Sequence, residues 1–196
     1  MNDEIARPCR KSRVVQHTFV FAAILLITAV VLHLSGRVFW CQCGTCVPWS
    51  WDIWSQHNSQ HLVDPYFFTH VLHGIALYGL LHWLWKSAPV SKRFWASILL
   101  EAGWEILENS PLIIERYREA TISLDYYGDS IANSLFDIVA CAAGFLLAAR
   151  MKPSHSILLF LATELLLVLT IRDCLTLNVV MLVYPLDAIK DWQMAF

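Results

Sequence analysis

Five predominantly apolar stretches, at residues 18–35, 66–85, 94–114, 126–149 and 155–172, each approach the ~20 residues that a tilted helix needs to cross a bilayer core. In hydrocarbon every backbone N–H and C=O must find its partner within the segment, so such stretches can only be helices. The expected fold is therefore all-α: a polytopic membrane helix bundle of about five transmembrane helices. The tail 175–186 runs apolar for only about a dozen residues before Pro185 interrupts it, and reads as a short interfacial or re-entrant helix. Composition agrees, since 57% of residues are hydrophobic and 15% charged, against the roughly 25% charge of a soluble domain. Nine Trp and six Tyr suit a chain with two membrane interfaces to anchor. A net charge of −2 with no long basic face excludes a nucleic-acid partner; the bilayer is the partner expected.

Residues 1–17 carry Arg7, Arg10, Lys11 and Arg13, and residues 18–196 read as one membrane domain without repeats or a soluble second unit. A cleaved signal peptide is the alternative for the first stretch, but no small-x-small site precedes Arg37. Lys86, Lys92 and Arg93, then Arg150 and Lys152, fall on the same side as the N-terminus in an alternating chain. By the positive-inside rule that side is cytoplasmic and the membrane is the inner one, leaving loops 37–65 and 115–125 outside.

Ionisable groups inside spans cost about 2.5–3.5 kcal/mol each on insertion scales, so they face the bundle interior and mark function. The second stretch carries His70 and His73, the third Glu101, Glu105 and Glu108, the fourth Asp129, Asn133 and Asp137. Spacings of three, four, seven and eight residues put each set on one helix face. Counting ~1.5 Å per residue from the boundaries puts His70, His73, Asp129 and Asn133 roughly 5–11 Å below the outer surface. Glu105 and Glu108, counted from Arg93, reach the same level, and Glu101 and Asp137 form a deeper layer.

Three readings fit such a cluster. Imidazoles and carboxylates in a low-dielectric pocket can hold a divalent metal ion, with His70, His73, Glu105 and Glu108 as ligands. Glu105, Glu108 and Asp129 would then serve acid–base catalysis, while Arg116, Arg118 and Asn133 would hold an anionic, lipid-borne or envelope substrate. Without metal the same groups could relay protons or pass a cation, because crowded carboxylates cannot all ionise together. Or they bond across helices and serve only as scaffold. Pro111, just after Glu108, predicts that the third stretch kinks or stops there, at the mouth of the site.

Loop 37–65 contains Cys41, Cys43 and Cys46. C-x-C-x-x-C is too short to form a four-ligand zinc site alone, so a disulfide between two of them is expected rather than metal. His57 and His61 stand four apart but read as solvated loop, Trp40, Trp49, Trp51 and Trp54 as anchors on the membrane surface, and Cys9, Cys141 and Cys174 as ordinary.

In order along the chain, Cys41-Gln42-Cys43-Gly44, Asn58-Ser59-Gln60-His61, His70-Val71-Leu72-His73-Gly74, Glu101-Ala102-Gly103-Trp104-Glu105-Ile106-Leu107-Glu108-Asn109-Ser110-Pro111, Arg116-Tyr117-Arg118, Tyr127-Gly128-Asp129-Ser130 and Arg172-Asp173 resemble an uncharacterised family of bacterial multi-pass membrane proteins. The resemblance covers nearly the whole chain after the N-terminus and implies membrane location without naming a reaction. The family pattern has Glu where His57 stands and Asp-Trp where Asp64-Pro65 stands, which leaves His57 and Pro65 without an implied role. A looser similarity links Glu105 or Glu108, Arg118, Asp129, Asn133 and Gly144 to VanZ-like membrane proteins, and implies an envelope or lipid-linked role.

Overall fold

A computed structural model describes residues 10–121 and 126–195, with side chains from residue 14 onward. Arg7, Cys9 and Asp125, and the side chains of Arg10, Lys11 and Arg13, lie outside the described residues. The fold is all-α: α1 (Arg10–Leu34), α2 (Phe67–Leu84), α3 (Val90–Glu108), α4 (Pro111–Ala120), α5 (Ile131–Ala148), α6 (Pro153–Ile171), α7 (Leu175–Val183) and α8 (Asp187–Met194). The described residues include only one isolated bridge, Trp49 to Val63, in place of any strand.

Among the described residues, four helices are long and apolar enough to cross a membrane: Val14–Leu34 within α1, and α2, α5 and α6. Burial sorts them, because 67% of the apolar window of α5 is buried, against 6% in α1 and 11% in α6. α5 is thus the central post, and α1 and α6 turn residues such as Phe19, Leu26, Leu158, Leu165 and Leu169 outward. In water each such side chain would forgo about 1.5–3 kcal/mol of burial, which is tolerable when the surroundings are themselves apolar. α3, the remaining helix of similar length, is packed against α1, α2 and α5 but carries Lys92, Arg93, Glu101, Glu105 and Glu108, and so falls outside the apolar class.

The tightest helix pair is α2 with α5. A Cβ at Gly74 would overlap the Cys141 carbonyl, and one at Gly144 would overlap that of Val71, so the two backbones touch where both residues lack a side chain. Leu72, Ile75 and Ala148 fill one side of this crossing, and Ile98, Ala102, Ile138 and Ala142 the side toward α3.

α3 stops at Glu108, with Asn109 as its cap, and Pro111 starts α4 at a first-turn position where its missing N–H costs nothing. Residues 111–114 therefore belong to a separate helix and do not prolong the third stretch. At the other end Glu164 of α6 accepts the Leu175 and Thr176 N–H groups at 2.9 and 3.0 Å, capping α7 from outside its own chain segment. With nine residues α7 spans about 13.5 Å, half a bilayer core. The sequence reading extends this tail to residue 186 and misses α8, an amphipathic helix held by Gln193, which donates to the Arg172 carbonyl and to Asp173. Asp173 also accepts the Tyr66 hydroxyl at 3.1 Å, and burial raises its carboxyl to about 6.

Candidate functional site

α2, α3 and α5 bring the polar faces together at the centre of the bundle. Glu101 Oε1 lies 2.7 Å from Nδ1 of His70 and 2.9 Å from Nδ1 of His73. An ionised carboxylate only accepts, so both imidazoles donate through Nδ1 and each keeps Nε2 as its lone-pair nitrogen. One turn up α3, Glu105 Oε1 sits 3.3 Å from the same His70 Nδ1. On the α5 side Asp137 Oδ2 sits 4.0 Å from His70 Nε2, too far for a hydrogen bond.

Glu101 is thus a direct partner of the histidines, whereas the sequence count puts it in a deeper layer. The count starts at Arg93 as if it marked a membrane surface. Arg93 is instead buried, donates to His82 Nδ1 at 2.6 Å and lies over the Tyr78 ring, so the level of α3 shifts by about a turn. Of the four residues expected to share a metal, His70, Glu105 and Glu108 bring ligand atoms within 4.8 Å of one another. His73 groups with His70 and Glu101 instead.

Above this layer Glu108 accepts the Tyr117 hydroxyl at 2.9 Å, and Asp129 accepts the Tyr126 hydroxyl at 2.8 Å and the Asn109 amide at 2.9 Å. Asp129 is therefore fully engaged, whereas Glu105, with no exposed surface, accepts no hydrogen bond on either oxygen. Glu108 Oε2 and Asp137 Oδ1 are likewise buried and unpartnered. Asn133 donates to the His61 carbonyl at 2.8 Å, and Asp64 accepts the N–H groups of Ser59 and Phe67 at 3.1 and 3.0 Å. Burial pushes the Asp64 carboxyl up to about 6.

A cavity of about 200 Å³ opens on these groups, with His70, His73, Glu108, Asp129, Asn133 and Asp137 on its polar wall. Leu175, Val179, Leu182 and Val183 of α7 make the opposite, apolar wall. A second cavity of about 450 Å³ under loop 35–66 shares Asn58, Tyr126 and Asp129 with the first, so these residues form the threshold between loop and buried cluster. Arg116 and Arg118 line neither cavity. Arg116 donates to the Leu182 carbonyl at 2.9 Å, fixing the end of α7, and Arg118 is exposed over the Tyr127 ring.

Loop 35–66 departs most from expectation. Cys41, Cys43 and Cys46 are free thiols, so the disulfide is absent. His57 and His61 fold back onto Cys41 and Cys43, with one ligand atom of each within 4.8 Å of the others. Hydrogen bonding with Cys41, then with Thr45, brings the Cys43 thiol down to about 6. Four-residue spacing of the two histidines was the available signal, and a loop reading hid it. Asn109, Tyr117 and Tyr126 were missed because neutral groups carry no mark in a scan for charge within apolar sequence.

A family model described as "Protein of unknown function (DUF2585)" matches residues 32–195. A UPF0314 protein from Rhizobium meliloti (strain 1021) is 48% identical over 170 residues, which covers 87% of this chain and 86% of the relative. A UPF0314 protein from Sphingopyxis alaskensis is 47% identical over 174 residues, 89% of this chain and 93% of the relative. Another, from Rhizobium johnstonii, is 45% identical over 186 residues, 93% of this chain and 95% of the relative. No solved structure matches.

Proposed function

This chain belongs to the DUF2585 family of proteins of unknown function, and from that premise we propose that it is a bacterial inner-membrane enzyme whose buried His/Glu cluster holds a divalent cation and acts on a lipid-borne envelope substrate. Its N-terminus is cytoplasmic and the site opens to the opposite face, in keeping with the basic residues at 86–93 and 150–152.

The observation that carries this reading is the unpaired carboxylate of Glu105. A buried carboxylate that accepts no hydrogen bond costs several kcal/mol as a charge unless a proton or a cation neutralises it, and the neighbouring donor atoms support the cation. A ring nitrogen of His70 and a carboxylate oxygen of Glu108 lie with Glu105 within 4.8 Å of one another, and Glu108 Oε2 is free. That donor set, nitrogen with several oxygens, is one that zinc, manganese or iron accepts. A bound ion would supply Lewis-acid polarisation of a carbonyl or phosphoryl oxygen, or a water of lowered pKa. The chain's own residues do the rest: Glu101 fixes both imidazole tautomers, Tyr117 orients Glu108, and Asp137 stands ready to take a proton.

The substrate class follows from the cavity, whose α7 wall would receive an acyl or prenyl chain while the polar wall takes the headgroup. Arg116 and Arg118 take no part in this reading, since neither lines the cavity and Arg116 only holds the Leu182 carbonyl of its wall. Transport is supported less well. On the far side of Glu101 the interior closes with Ile98, Ile138 and Phe145, all fully buried, and with the close backbone approach at Gly74 and Gly144, while Ser97 and Cys141 add small polar groups. A cation path would have to cross this tightly packed, mostly apolar layer.

The test is elemental analysis of the detergent-purified chain and of its E105Q/E108Q variant, which keeps side-chain shape. A parent that holds one more metal ion per chain than the variant supports the reading. Equal metal content in both, after reloading with zinc, manganese and iron, rejects it.

A further inference from the structure

Loop 35–66 contains a second donor set that the buried cluster does not use. We propose that Cys41, Cys43, His57 and His61 form a closed tetrahedral zinc-class site that staples this loop over the mouth of the buried cavity.

Distances between the donors suit one shared ion. Cys41 Sγ lies 3.4 Å from His57 Nδ1, Cys43 Sγ 3.9 Å from His61 Nε2, and the two imidazole nitrogens 3.3 Å apart. A tetrahedral ion with bonds of about 2.3 Å to sulfur and 2.05 Å to nitrogen requires edges of about 3.6 Å between S and N and about 3.3 Å between N and N. The nitrogen that faces the centre in His61 is also the right one. Its Nδ1 stands 2.5 Å from the Val47 carbonyl, to which it can only donate, and this leaves Nε2 as the lone-pair donor. Around the sulfurs, the Cys43 N–H donates to Cys41 Sγ at 3.4 Å, and the Thr45 hydroxyl lies 3.1 Å from Cys43 Sγ. Both contacts favour thiolate over thiol. Trp40 closes the edge: its ring packs against His61 and its Nε1 donates to the Thr45 carbonyl at 2.9 Å. With two sulfurs and two imidazoles the set is complete, which marks a structural rather than a catalytic ion.

The staple would act on the buried site through the His61 segment. The His61 carbonyl accepts from Asn133, the Gln60 amide donates to the Gly128 carbonyl at 2.8 Å, and the Ser59 carbonyl accepts the Ser130 N–H at 2.9 Å. Residues 59–61 therefore hold the start of α5, where Asp129 and Asn133 line the cavity. Thiolates bound to metal also resist the oxidation that two neighbouring cysteines would otherwise meet outside the cytoplasm.

The experiment loads the full chain in detergent with Co(II) in place of zinc and reads its absorption. Expected are the intense visible bands of tetrahedral cobalt with a sulfur-to-metal charge-transfer band. These vanish in C41S/C43S and persist in E105Q/E108Q, which separates this site from the buried one. Where C41S/C43S does not fold, thiol labelling of the parent decides: zinc shields Cys41 and Cys43 from maleimide while Cys46 stays reactive, and a chelator exposes the two shielded thiols. A charge-transfer band absent from the parent, or one surviving in C41S/C43S, overturns the proposal, as does labelling of Cys41 and Cys43 that zinc leaves unchanged.

Discussion

Asn109 and Asp129 bond each other twice: the Asn109 amide donates to Asp129 Oδ2 at 2.9 Å, and the Asp129 backbone N–H donates back to Asn109 Oδ1 at 2.7 Å. The pair locks the cap of α3 to the residue just before Ser130, the N-cap of α5, and both members are buried. Asn109→Ala leaves an acceptor and a donor unpaired at once. At about 1–3 kcal/mol per orphaned group, the expected loss is roughly 2–6 kcal/mol. Chemical unfolding in detergent should show it, and a loss below about 0.5 kcal/mol would mean the pair is not formed.

The glycine contact between α2 and α5 makes a sharper prediction because it has an internal control. A methyl at Gly74 or Gly144 meets backbone, which cannot swing aside, so G74A or G144A should cost about 1–3 kcal/mol or more. Gly79, on the same helix as Gly74, has nothing within 4 Å of an added Cβ. G79A should therefore be neutral or stabilising by up to about 1 kcal/mol. Equal effects of G74A and G79A on the unfolding midpoint would rule out the close crossing.

Helical character was legible because apolar run length answers directly to the backbone's need for internal hydrogen bonds, but the count was not, since α4 and α8 are short and polar. Which residues meet was legible only in part. Periodicity put His70 and His73 on one face, but the vertical match between α2 and α3 required a reference level, and Arg93 supplied a false one by being buried. Pro111 marked the break after α3 correctly, since its effect is local. The chelating geometry of loop 35–66 was not legible, because Cys41 and Cys43 meet His57 and His61 through a fold of the loop that no periodicity encodes.

Asp64 gives a pH test outside the long apolar helices. Burial raises its carboxyl from 3.8 to about 6 in the folded chain. Since the folded value is the higher, the stabilisation is complete below about pH 4 and is lost as pH rises through about 6, a change of about 3 kcal/mol. Asp64→Asn removes the titration while keeping one acceptor for the N–H groups of Ser59 and Phe67. The stability difference, variant minus parent, should shift by about 3 kcal/mol in the variant's favour between pH 4 and pH 7. A difference that stays flat across this range would show that Asp64 is not desolvated.

Glu101 is where the two candidate roles of the buried cluster part. Under the sequence reading it lies in a layer deeper than the metal ligands, but in the structure it accepts from both His70 and His73. As a positioning residue behind the metal ligands, its replacement in E101Q should weaken cation binding about 10–100-fold without abolishing it. Glu105→Gln removes a donor and should cost more. The order follows from the hydrogen bonds: Glu105 keeps two oxygens without a hydrogen-bond partner and would bind an ion directly, whereas Glu101 is engaged by both imidazoles and would act through them. Competition titration with a metal-sensitive dye, with C41S/C43S as the background, measures both affinities. If E101Q lost all binding while E105Q kept it, the ion would sit between His70, His73 and Glu101, the other donor group within reach.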